Sequence, residues 1–93
     1  MTDTMSRLSA VIAHRKAELP AGSYTTQLFT AGENEIVKKL GEEAIEVIVA
    51  AKAEGDDRLV YEMADLVYHA LVLLASRGLA WQDVEEELVR RFR

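Results

Sequence analysis

From Ile36 onward the chain repeats apolar residues at the period of an α-helix through two long stretches with one break between them, which limits the possible folds more than any other feature. Ile36, Val37, Leu40, Ala44, Val47, Ile48 and Ala51 form one stripe, and Leu59, Met63, Leu66, Val67, Ala70, Leu71 and Leu74 form the next. Thr30-x-x-Glu33 reads as a capping box opening the first helix. Gly55-Asp56-Asp57 stops it and supplies an Asp cap to the second, which Arg77-Gly78 closes through a cationic last turn and a glycine. Two long helices joined this tightly run antiparallel and form the centre of the molecule.

Shorter helices flank this pair. Leu8, Val11 and Ile12 are at helical spacing, predicting a first helix over 5–18 that ends at Pro20-Ala21-Gly22-Ser23. Ser23 can cap a short helical turn that Gly32 ends. A last helix is expected over 81–91, with Val84, Leu88 and Phe92 facing inward, although Ala80 at its cap accepts no hydrogen bond. One proline, five glycines and 49% apolar content leave an all-α chain of four to five helices, with a single domain over residues 1–93. So short a chain buries a smaller share of its surface than a larger domain, which favours a partner subunit.

Charge and composition exclude several functions. Sixteen acids against eleven bases give a net charge of -5, so no basic field exists for nucleic-acid backbone, and any phosphate held here needs a metal. The absence of cysteine removes disulfide and thiolate chemistry. Met1 to Arg7 lacks the pattern of a signal peptide, and the longest apolar run, Ala70 to Ala75, falls short of the roughly 20 residues of a membrane span. A cytoplasmic protein with neither membrane nor nucleic-acid partner is expected. P-loop, Rossmann and nucleophile-elbow motifs are missing from the sequence.

The acids carry the chemistry. At about 100° per residue from Leu40, Glu43 falls at about 300° and Glu46 at about 240°, on one flank of the stripe. The same count from Leu59 puts Glu62 at about 300°, His69 at about 280° and Asp65 at about 240°. Packing of the two stripes would bring both carboxylate pairs to one helix-helix edge. Clustered carboxylates repel, so the grouping makes sense mainly around a divalent cation, and hard oxygen ligands select Mg²⁺ or Mn²⁺. The competing reading is that Glu42, Glu43, Glu46, Glu62 and Asp65 are the solvated faces of amphipathic helices. Lys38 and Lys39 either hold phosphate oxygens or make i, i+4 pairs with Glu42 and Glu43. Arg15 and Lys16 either reach phosphate or ribose or complement the first helix's dipole. Ser23, Tyr24 and Thr25 offer hydroxyls to a nucleotide, Ser23 doubling as a cap. Tyr68, at about 180°, points away from the acids and suits an interface.

Ser23-Tyr24-Thr25, Lys38-Lys39-Leu40-Gly41-Glu42-Glu43-Ala44-Ile45-Glu46 and Glu62-Met63-Ala64-Asp65-Leu66-Val67-Tyr68-His69 resemble, in order and spacing, the phosphoribosyl-ATP pyrophosphatase family of the MazG-like all-α nucleoside-triphosphate pyrophosphatases. The resemblance covers almost the whole chain, departing at Ala80, where relatives tend to carry a capping Ser or Thr. It implies a dimeric helical bundle that cuts phosphoribosyl-ATP into phosphoribosyl-AMP and pyrophosphate, the second step of histidine biosynthesis. It further implies Mg²⁺ on Glu43, Glu46, Glu62 and Asp65, with Glu42, Glu43 and Glu46 as the catalytic set and no covalent nucleophile. Lys38, Lys39, Arg15, Ser23, Tyr24, Thr25 and His69 are the implied substrate contacts. Two other functions remain open: a housekeeping pyrophosphatase for noncanonical nucleoside triphosphates, and a noncatalytic helical adaptor.

Overall fold

The computed structural model describes residues 3–92, so Met1 and Thr2 of the leader reading lie outside the described residues. Five helices follow one another: α1 (Thr4–Glu18), α2 (Tyr24–Ala31), α3 (Glu33–Ala53), α4 (Asp56–Ser76) and α5 (Trp81–Arg90). The described residues contain no strand. α3 and α4 pack along each other and form the centre, with α1 and α2 laid against them and α5 on α1. Their antiparallel register is fixed at both ends, by the Glu54-Gly55 turn at one and at the other by Arg77 Nε donating to Glu33 Oε1 over 2.8 Å and Arg77 Nη2 to Glu33 Oε2 over 3.0 Å.

Ile12, Leu28, Ile36, Leu71, Val72 and Ala75 form the core, one or more from each of α1 to α4. α4 contributes most, and it alone among the described helices is long and apolar enough to cross a membrane by length and composition. The shortness of its Ala70–Ala75 run conceals this. Its buried Glu62 and His69 suit a bundle interior, where polar groups find protein partners.

The helix ends show how local chemistry sets the boundaries. Asp3 caps α1, accepting from Met5 N and Ser6 N, and Ser23 caps α2, accepting from Thr26 N. The expected Thr30 capping box does not form, because Thr30 belongs to the last turn of α2 and a single residue, Gly32 at φ 101°, separates α2 from α3. Likewise no Asp caps α4: Gly55 at φ 91° holds the cap, and Asp56 and Asp57 lie inside the first turn, beside the helix's positive end. α4 ends at the expected glycine, with Gly78 N donating to Ala75 O over 2.9 Å and Leu79 N to Leu74 O over 2.8 Å, the paired bonds of a Schellman motif, but its last turn is not cationic, because Arg77 is the C-cap beyond it. α5 starts at an alanine because two neighbours do the capping. Asp83 Oδ2 accepts from Ala80 N at 2.9 Å, and Ser9 Oγ, reaching across from α1, accepts from Trp81 N at 3.3 Å.

Two expectations about facing need correction. The buried line of α3 is Ile36, Glu43 and Ala50, with Leu40, Ala44 and Val47 half-buried; Val37, Ile48 and Ala51 are exposed. α3 is apolar on two sides, and its neighbours cover only one, leaving Ile45, Ile48 and Val49 bare. At the chain's end Leu88 is exposed and Phe92 is 80% exposed, because α5 rests on α1 and does not cover the central hairpin.

Candidate functional site

Because α3 turns Glu43 onto its buried line, that carboxylate meets α4 directly. Carboxylate oxygens of Glu43, Glu62 and Asp65 all lie within 4.8 Å of one another. Glu43 is 8% exposed and Glu62 2%, and Glu43 Oε2 and Glu62 Oε1 have no hydrogen-bond partner. Buried carboxylate oxygens without partners are costly, and a cation is one partner that would satisfy both. Three hard oxygen donors converging from two facing helices suit Mg²⁺ or Mn²⁺. The fourth expected ligand, Glu46, is one turn along, exposed, and lines a cleft of about 270 Å³ with Ile45, Val49, Glu54, Arg58 and Glu62. Burial pushes the Glu62 carboxyl above its usual range; Arg58 draws it back down, and the charges of Glu46 and Asp65 add to the rise. Glu42 stands outside the group, exposed and paired with Lys39 at 3.3 Å.

A second polar group adjoins the acids. His69, 4% exposed, bonds the Asp65 carbonyl through Nδ1 at 2.7 Å and the Tyr24 hydroxyl through Nε2 at 2.9 Å. A carbonyl only accepts, so Nδ1 donates to it, while Nε2 and the phenol share the second hydrogen bond. The hydroxyl of buried Thr25 hydrogen-bonds that of Tyr68 and ties α2 to α4 a second time. Tyr68 thus packs within the chain, against the expectation that it points away to an interface. The Tyr24 phenol is raised above its usual range, first by burial, with Lys39 opposing and Glu43 adding to it. Lys39 is held more firmly protonated by its bond to Glu42 and by Tyr24, and it lines a shallow cleft with Tyr24, Gln27 and Leu28.

The other singled-out groups divide. Lys38 reaches back to Glu35 at 3.8 Å, away from the cluster, so neither lysine makes the i, i+4 pair with Glu42 or Glu43. Ser23 is engaged as the α2 cap. Arg15 is half-buried in the last turn of α1, and Lys16 beside it donates to Ala75 O at 2.8 Å, holding the end of α4. Arg58 is what the sequence reading missed: its Nη2 lies 2.7 Å from Glu62 Oε2. The i, i+4 spacing of Arg58 and Glu62 was the available signal.

Fold and site together define an all-α bundle whose central hairpin carries a carboxylate cluster fit for a hard divalent cation. Residues 5–92 match the phosphoribosyl-ATP pyrophosphohydrolase family. The chain is 50% identical over 93 residues, the full length of both, to a phosphoribosyl-ATP pyrophosphatase of Metallosphaera sedula. It is 54% identical over 87 residues to one of Lactiplantibacillus plantarum, spanning 94% of this chain and 82% of the relative. It is also 52% identical over 87 residues to the histidine biosynthesis bifunctional protein HisIE of Bacillus subtilis, of which the match covers 42%. With such identity from end to end, the chain belongs to the phosphoribosyl-ATP pyrophosphohydrolase family.

Proposed function

We propose that this chain hydrolyses phosphoribosyl-ATP to phosphoribosyl-AMP and pyrophosphate, with Mg²⁺, or Mn²⁺ in its place, held by Glu43, Glu62 and Asp65 and with Glu46 at the open side. The observation that carries the metal reading is the pair of buried, unpartnered oxygens on Glu43 and Glu62. The names of the relatives support the substrate and favour it over a noncanonical nucleoside triphosphate. A bound divalent ion would supply charge neutralisation for the triphosphate and acidify water beside it. The protein's own groups do the rest. Glu46, beside Glu62 and open to the cleft, orients the attacking water and accepts its proton, whereas Glu42 holds Lys39. Lys39 offers a fixed positive charge to the phosphate chain from the side of Tyr24. The Asp65 carbonyl, His69 and Tyr24 form a chain of hydrogen bonds that holds the phenol near Glu43 and Asp65.

A homodimer belongs to the same proposal. Val37, Ile45, Ile48 and Val49 on α3 and Val60 and Met63 on α4 are exposed. Met63 and Val60 also line an apolar cleft of about 420 Å³ with Met5 and Leu8 of α1. So much bare apolar surface on so small a domain suits a second copy of the chain. Cytoplasmic placement follows from the nucleotide substrate proposed. The test incubates purified protein with Mg²⁺ and either phosphoribosyl-ATP or dCTP and analyses products. Pyrophosphate from phosphoribosyl-ATP is expected; cleavage of dCTP with phosphoribosyl-ATP intact would overturn the substrate assignment.

A further inference from the structure

Among the described residues, Arg58 is the one basic side chain in an ion pair with a member of the acidic cluster. It sits one turn before Glu62 on α4 and reaches inward from solvent: the Arg58 side chain is 50% exposed and that of Glu62 3%. In the same conformation the guanidinium lies 4.5 Å from the Tyr61 ring centroid and 3.9 Å from Glu54 Oε1, so it also has partners other than Glu62. Glu62 is therefore divided. Oε2 is taken by Arg58, while Oε1 is buried with no partner.

This division has an electrostatic consequence for the metal reading proposed above, on which the inference rests. With no cation bound, one guanidinium offsets part of the repulsion among three close carboxylates. A dication placed against Glu43, Glu62 and Asp65 would share Glu62 with Arg58, so two positive charges would oppose each other across one carboxylate. A polyphosphate removes the conflict, because its oxygens accept the guanidinium in the forked geometry that arginine presents and coordinate the dication at the same time. The cleft shared by Arg58, Glu46 and Glu62 is where such a chain would lie.

We propose that Arg58 couples cation to polyphosphate at this site: it holds Glu62 while the cluster is empty and turns to the phosphate chain when a divalent ion binds, so that the two ligands enter together. Metal alone then binds weakly, and the cell's free Mg²⁺ does not fill the site unproductively.

The test titrates Mn²⁺ into the full-length protein, following free Mn²⁺ by electron paramagnetic resonance, with and without pyrophosphate and after correction for Mn²⁺-pyrophosphate binding. Wild type, R58Q and R58K are compared, and far-ultraviolet circular dichroism confirms folding. In wild type pyrophosphate should tighten Mn²⁺ binding by about tenfold, within the usual range of coupling between sites. R58Q should bind Mn²⁺ alone about fivefold tighter than wild type and keep less than about a third of the pyrophosphate effect. R58K, which retains charge without the fork, should resemble wild type with Mn²⁺ alone but gain less from pyrophosphate. Equal Mn²⁺ affinity and equal pyrophosphate effect in wild type and R58Q would overturn the role of Arg58 and leave the metal site standing. Failure of every form to bind Mn²⁺ would overturn both.

Discussion

Replacing Glu43 with glutamine should raise the stability of the metal-free protein and abolish its stabilisation by Mg²⁺, reversing the order of the two proteins when the metal is added. The carboxylate oxygens of Glu43 and Asp65 lie within 4.8 Å of each other. At an effective dielectric constant of about 20, two unit charges at that separation repel by about 3 kcal/mol. Relaxation and salt screening reduce this to on the order of 1–2 kcal/mol. The glutamine amide would also donate to a neighbouring carboxylate from the position of Glu43 Oε2, which has no partner. For a domain of this size each kcal/mol is worth about 4–8 °C in Tm, so Glu43→Gln should melt about 4–16 °C above wild type in EDTA. At Mg²⁺ about 100 times its Kd, wild type should gain about 2.7 kcal/mol and the variant little. Differential scanning calorimetry in EDTA and in Mg²⁺ measures both arms. A variant less stable than wild type in EDTA, or one raised by Mg²⁺ as far as wild type, would refute the idea that these acids repel in wait for a cation.

Two further outcomes test the frame around the site. Ser9→Ala removes the hydroxyl that accepts from Trp81 N; the loss should be about 1 kcal/mol, with faster amide exchange in α5 and none of that effect in the α3–α4 hairpin. The Arg77 guanidinium holds the Glu33 carboxyl below its ordinary value of 4.5, and a depressed acid contributes stability above its unfolded value that is lost as pH falls through the folded one. Arg77→Ala should therefore lower Tm slightly at pH 7, and the gap to wild type should close as pH drops below about 4.5.

Much of the fold was legible because its punctuation is local. Ser23, Pro20, Gly55 and Gly78 act on their own turns, and the helices begin and end within a residue or two of where those residues place them. Which side of α3 faces inward was harder to read. Its apolar residues cover two sides, and only the presence of α1, α2 and α4 selects Ile36, Glu43 and Ala50, so counting from Leu40 put Glu43 on a flank when it lies on the buried line. The meeting of Glu43 with Glu62 and Asp65 survived that error because both helices carry their acids toward the shared edge. The Tyr24–His69 bond was beyond sequence reasoning, since it depends on how α2 lies across α4. So was the tertiary cap on α5, where a serine in α1 supplies what Ala80 lacks.

The α3–α4 hairpin is pinned at its turn and again where Arg77 grips Glu33, with the three acids between. With both ends tied, fraying at either one must first break that tie before it can reach the three acids. Insertions or fused segments at the periphery can therefore accumulate without altering the spacing of the oxygens.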